Sequence, residues 1–163
     1  MDAIEAIKTR RSVRAYQQRP ISRDILKDLV DCGRLAPTAM NQQPWEFVVV
    51  TDASLLRRLA ELIGHAQFML TAPAAIVVLC KPLNWYVEDA SAATQNLLLA
   101  AQAHGLGSCW VAGDKQPYAD AVRQALGAPE GYVFFSLVTL GYPAEAASKD
   151  KRPLDQVLHW ERF

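Results

Sequence analysis

The stretch 86–104 constrains this chain more than any other. Ala90, Ala92 and Ala93 are followed by Leu97, Leu98, Leu99, Ala100, Ala101 and Ala103 before Gly105 interrupts the run. Alanine and leucine at that density predict a helix, and a glycine just past its end is the usual left-handed stop. The second half of this helix has almost no polar face, so it must be covered on all sides. A chain of 163 residues builds one domain of modest size, expected here to span 1–163. The reading therefore assigns part of the cover to a second subunit, with Leu98 on the shared face.

The remaining elements follow from caps and periodicity. Asp2 caps a short helix over 3–9, with Ile4 and Ile7 on one face. Ser22 opens a second helix in which Ile25, Leu26, Leu29 and Val30 repeat at helical spacing up to Gly33 or a little beyond. Two prolines and several amides make 36–44 a loop, and the β-branched run at 46–50 a strand. A helix is expected over 53–63. The segment 74–80 is a continuous apolar run, as suits a strand covered on both faces. A short strand at 109–112, a helix at 118–126 and a strand at 132–140 complete the pattern. Helices and strands alternate irregularly, so the class is mixed, and the order of strands is not legible.

Composition narrows the partners. Seventeen Lys and Arg balance seventeen Asp and Glu, so no basic field covers the domain and nucleic acid is not expected. No apolar run approaches about 18 residues, which excludes a membrane-spanning helix. The start, Met-Asp-Ala-Ile-Glu, has no basic region and no long apolar stretch, so no secretory signal is read. Cys32, Cys80 and Cys109 are odd in number and widely spaced, without a CxxC pair. They fit buried hydrophobes in a reducing cytoplasm rather than a disulfide or zinc framework.

Four segments carry possible chemistry. Arg10, Arg11, Ser12, Val13 and Arg14 put three guanidiniums and a hydroxyl within five residues, a set suited to phosphate oxygens or to a solvated basic turn. Lys149, Lys151 and Arg152 form a second basic cluster that either converges on the same anion or lies on a charged loop. The loop from Pro37 to Trp45 offers amide donors and acceptors beside an indole wall. The run Gly105 to Gly113 brings glycines and a short strand, which lets backbone approach a flat ligand closely. It lacks the GxGxxG order of a dinucleotide site, and no Walker motif, HExxH or GxSxG is present. With no evident nucleophile, base or metal ligand set, the residues suit an enzyme whose chemistry comes from a cofactor.

In this order, RRSVRAY, APTAMNQQPWEFVVV, DASAATQNLLLAAQAHGLGSCW and KRPLDQVLHW resemble the nitroreductase family of FMN-dependent oxidoreductases, in its short branch. The resemblance implies an α+β fold with a central, mainly antiparallel mixed sheet flanked by helices, in an intertwined homodimer holding non-covalent FMN at its interface. It assigns Arg10, Arg11, Ser12 and Arg14 to the phosphate and ribityl chain. Lys151 and Arg152 would close that site, although the family's Lys-x-Arg stands here as Lys149-x-Lys151 followed by Arg152. Pro37, Thr38, Ala39 and Asn41 would border the flavin from the partner subunit, and Asn96 would support the dimer interior. Val111, Ala112 and Gly113 would line the ring, with a backbone N–H near its N5. NAD(P)H would be the reductant, and a small flat acceptor such as a nitroaromatic or quinone the oxidant, in ping-pong order. Another flavin-dependent reduction (dehalogenation or enoate reduction) or FMN storage without turnover are the alternatives. Phe68, Trp85 and Tyr86 form either a lid over the substrate or part of the core and interface.

Overall fold

The computed structural model describes residues 1–147 and 150–163. Its centre is the strand β2, Ala74–Cys80, in which all seven residues are buried. β1, Trp45–Val50, and β4, Val133–Gly141, pair with it antiparallel on either side. β3, Gly107–Ala112, pairs antiparallel with the far side of β4, giving the order β1-β2-β4-β3. A register shift between Val78 and Leu79 marks an irregularity in the central pair. Among the described residues the one parallel pairing is an isolated bridge between Ser12 and Ser108, so the mixed character expected of the sheet is confined to its β3 edge.

Side chains alternate across the sheet, and each face has its own cover. Ile76, Val78, Val138 and Leu140 pack with the helices α2, Arg23–Arg34, and α4, Tyr86–Ala103. Ala75, Val77, Leu79 and Leu137 pack under α3, Ala53–Ile63, and α5, Ala119–Ala125. A strand buried on both faces needs apolar residues at every position, which explains the uninterrupted run at 74–80. The first helix, α1, Ala3–Thr9, lies near the far end of α4, where the Gln102 amide donates to Thr9 Oγ1 at 3.1 Å. The expected caps form: Asp2 accepts from the Glu5 N–H, and Ser22 from the Ile25 N–H. Sequence patterning missed three short 3₁₀ turns, Ala39–Asn41 within the expected loop, Gln67–Thr71 and Leu154–Gln156.

α4 requires a correction. Leu97 and Leu98 are both buried within a single chain, Leu98 at 4% exposure, in the same cluster as Leu26, Leu29 and Ile76. The cover assigned to a second subunit is supplied there by α2 and the sheet. Asn96 likewise spends its amide inside the chain, donating to the Cys32 carbonyl of α2 at 3.0 Å. His104, which caps α4, sits 2.6 Å from an Asp28 oxygen on α2. Thr94 bonds the Ala90 carbonyl and Ser136 Oγ, so its buried hydroxyl is satisfied. Exposed apolar residues include Ile4 and Ile7 of α1, Leu35, Met40, Leu83, Trp85 and Val87 around the start of α4, and Leu154, Val157, Leu158, Trp160 and Phe163 in the exposed segment 150–163.

Leu98→Glu therefore places an unpaired carboxylate inside the protomer, at a cost on the order of 3–5 kcal/mol. The expected outcome is a large fall in the urea midpoint and little soluble protein. A well-folded monomeric variant would show that this face is not interior.

Candidate functional site

The cation-rich segment leaves α1 at its C-terminal end and runs along the outer edge of β3. The Val13 N–H donates to the Ser108 carbonyl at 2.9 Å, which seats the segment as a short parallel neighbour of the strand. Gly107 makes that approach possible, because a Cβ there would stand 2.8 Å from the Val13 side chain. Tyr16 anchors the other end. Its buried hydroxyl donates to the Val13 carbonyl at 2.6 Å and shares a hydrogen bond of 2.6 Å with Thr139 Oγ1. Burial pushes the Tyr16 phenol well above the ordinary tyrosine range, against a smaller opposing effect of the Thr139 bond.

Above this anchored backbone lies a cavity of about 430 Å³. Arg10, Arg11, Ser12, Val13 and Arg14 line it together with Glu145, Ala146, Ala147 and Lys151. Segments more than 130 residues apart thus converge. The Arg11 guanidinium donates from Nη1 to the carbonyls of Lys8 and Arg10, at 3.0 and 2.9 Å, so one end of its fork is fixed on the end of α1. The Arg14 guanidinium stands 5.7 Å from the centre of the Phe68 ring, which gives that aromatic a supporting place beside the cations. Among the described residues, none of these four cations forms an ion pair. Cys109 lies beneath the cluster; burial pushes its thiol up, partly offset by Arg14, a hydrogen bond with Ser12, and Arg10.

Not every expected residue joins them. Arg152 is exposed and does not line the cavity, and Lys149 lies outside the described residues. Pro37, Thr38, Ala39 and Asn41 sit beside the opposite end of α4, where Asp89 binds Thr38 and Ala39. Thirteen helical residues separate Asp89 from Gln102, about 20 Å along the axis. Val111 and Ala112 end the strand whose start carries the Ser12 bridge, and Gly113 follows it, about 10–16 Å from that bridge. Val111 is buried under α3 and α5, and the Gly113 N–H donates to the Phe135 carbonyl at 2.9 Å. Ala112 is exposed. Gly113 itself is required, since a Cβ there would lie 2.7 Å from the Phe134 carbonyl oxygen.

Sequence reasoning passed over Asp89, Glu145 and Tyr16. Asp89 stands beside Glu88 in the first turn of α4, and residue type alone does not distinguish the two. Glu145 and Tyr16 carry no legible sign either. The lining set of four cations, one carboxylate and one hydroxyl can hold and orient an anion. No group of three or more His, Cys, Asp or Glu among the described residues could hold a metal ion, and no helix is long and apolar enough to cross a membrane.

A profile described as "Nitroreductase family" matches residues 7–81 and 64–142. The chain belongs to the nitroreductase family. A relative from Archaeoglobus fulgidus, provisionally named an NADH dehydrogenase/NAD(P)H nitroreductase, is 40% identical over 151 residues, covering 88% of this chain and 87% of that one. A solved structure from Parabacteroides distasonis with the same provisional name superposes with a TM-score of 0.93 at 33% identity, over 99% of this chain and 98% of the other. A provisionally named nitroreductase from Desulfovibrio desulfuricans, solved in complex with FMN, gives a TM-score of 0.89 at 30% identity, over 100% and 98%. This nitroreductase-family chain has the α+β fold of those structures. The donor set suits a phosphomonoester: planar guanidiniums match phosphate oxygens in pairs, and the serine hydroxyl adds a short neutral donor.

Tyr16→Phe is expected to leave Thr139 and the Val13 carbonyl short of a partner and to cost about 1–2 kcal/mol. A buried phenol held neutral binds its proton more tightly folded than unfolded. Above about pH 10 the unfolded chain loses that proton first, so stability falls as pH rises, by up to about 1.4 kcal/mol per pH unit. Denaturant melts between pH 8 and 11 should show a shallower decline for Tyr16→Phe than for the wild type. Parallel slopes would contradict the assignment.

Proposed function

We propose that this chain is an FMN-dependent oxidoreductase that takes hydride equivalents from NAD(P)H and delivers them to a small flat acceptor of nitroaromatic or quinone type. The observation that carries the reading is the convergence of Arg10, Arg11, Ser12, Arg14 and Lys151 on one cavity, in a fold shared with a protein solved with FMN. When bound, FMN supplies the centre that accepts a hydride and hands it on. The protein's share is to bind, orient and exclude water. Nicotinamide and acceptor use the same pocket in turn, a ping-pong order.

In this reading the guanidiniums of Arg10, Arg11 and Arg14 hold the phosphate by charge-assisted hydrogen bonds, with Ser12 and Lys151 closing the set. Arg11, already fixed on the carbonyls ending α1, needs little further ordering to do so. Val111, Ala112 and Gly113 form the edge along which the ring is oriented, Ala112 being the exposed one. Arg152 adds positive charge near the entrance without lining the cavity. No side chain is assigned to proton transfer.

The unit is one FMN-binding domain over 1–163, paired as a homodimer. Two observations support the pairing. Loop 38–43 and the segment leading into the cation cluster lie at opposite ends of α4 in one chain, so Pro37, Thr38, Ala39 and Asn41 are assigned to the flavin of a second copy. The exposed apolar residues of α1 and of 150–163 would be covered in such a pair. Three free thiols fit the reducing cytoplasm as its location.

Purified protein is expected to show flavin absorption bands that bleach when NADH or NADPH is added without oxygen. Colourless protein that takes up no added FMN would refute the reading. Arg11→Ala combined with Arg14→Ala removes two charge-assisted contacts, each worth about 1.5–3 kcal/mol. FMN affinity should fall about 100-fold or more with the circular dichroism spectrum unchanged. Undiminished flavin content in that variant would overturn the phosphate assignment.

A further inference from the structure

Three segments meet around the first turns of α4: loop 38–43, the turn at Trp85 and the pair Asp114–Lys115 beyond β3. Two side chains of α4 tie them together. Asp89 accepts from Thr38 Oγ1 on one carboxylate oxygen at 2.7 Å and from the Ala39 N–H on the other at 3.0 Å. The Tyr86 hydroxyl donates to Asp114 Oδ2 at 3.2 Å. Thr38 Oγ1 in turn accepts from the Gln43 N–H at 3.1 Å, so a chain of carboxylate, hydroxyl and amide closes the loop.

This is also where the backbone is most constrained. Among the described residues six non-glycine positions have positive φ, and five lie in these segments: Met40 at 50°, Asn41 at 55°, Gln43 at 49°, Trp85 at 70° and Lys115 at 59°. Side-chain-bearing residues enter that region at an energetic cost and stay there only where surrounding contacts over-determine them. Asp89 is 4% exposed and both its oxygens are used. A buried carboxylate spent on a surface loop does nothing for the core. What it does is hold Thr38 and Ala39 in place while Met40, 78% exposed, points away from any cover in its own chain.

We propose that Asp89 is a positioning residue that holds loop 38–43 in its left-handed form, so that Thr38, Ala39 and Asn41 present a preformed edge to the flavin of a second copy. The inference rests on the flavin site and homodimer proposed above. Preformation matters because a loop ordered in advance does not spend binding energy on its own ordering.

The test compares Asp89→Ala, Asp89→Asn and Thr38→Val with the wild type. Amide exchange at Ala39 and Gln43 is measured in flavin-free protein, FMN affinity by quenching of flavin fluorescence, and KM against kcat for NADH and a quinone. In Asp89→Ala, exchange at both amides should rise at least tenfold and the Kd for FMN about tenfold, with KM moving more than kcat. Asp89→Asn, which keeps an oxygen for the Ala39 N–H, should recover most of both. Thr38→Val should free the Gln43 amide alone, with a smaller loss of FMN affinity. It keeps the Asp89–Ala39 bond, so it serves as the test if Asp89→Ala fails to fold. Faster loop exchange with wild-type FMN affinity and KM would mean that Asp89 serves local stability only, and would overturn the inference while leaving the flavin site standing. Wild-type protein that takes up no FMN would overturn both.

Discussion

The pairing of β2 with β4 down the middle of the sheet is the constraint on which the rest of the structure depends. Both strands are buried over nearly their whole length, so water is excluded from either face and backbone hydrogen bonds are satisfied by the ladder itself. Two apolar faces demand two layers of helices, and the chain has just enough amphipathic segments to supply them. Polar chemistry is thereby pushed to the rim. The cation cluster lies along the β3 edge and the strained loop beside the start of α4.

This arrangement explains how a chain with no evident catalytic side chain is nonetheless specialised. The rim holds fixed charge at one end of α4 and a tightly tied loop at the other. Each is rigid for a different reason. The cations sit on a segment locked by Tyr16, the Ser108 carbonyl and the C-terminal end of α1, whereas the loop is tied by the buried Asp89 carboxylate and by Thr38 Oγ1. α4, about 27 Å long, runs between the two within one chain.

Much of the fold was legible in the sequence, and the failures have physical causes. Asp2 and Ser22 mark helix starts because a short oxygen-bearing side chain satisfies an amide the helix leaves open. The run 74–80 reads as a doubly covered strand because each position meets an apolar face. Strand order stayed hidden, since pairing between distant segments leaves no local periodicity. Leu98 was misassigned for a related reason: composition shows that a helix is covered all round, not whether the cover belongs to its own chain. At the site, density of arginine made 10–14 visible, but the arrival of Lys151 is a tertiary fact. Backbone commitments, such as the Gly113 N–H on the Phe135 carbonyl, are likewise invisible in residue type.

The two edges of the sheet are finished differently. At the start of β3 Ser12 and Val13 occupy the outer side, with Val13 bonded to Ser108 and packed against Gly107. Along β1 no described segment does so, and Val49 is left partly bare. An unpaired edge invites another strand, and a sheet with two open edges can grow without limit into ribbons. At the start of β3 that place is already taken by Val13, so the stretch of edge beside the arginines is closed to an incoming strand.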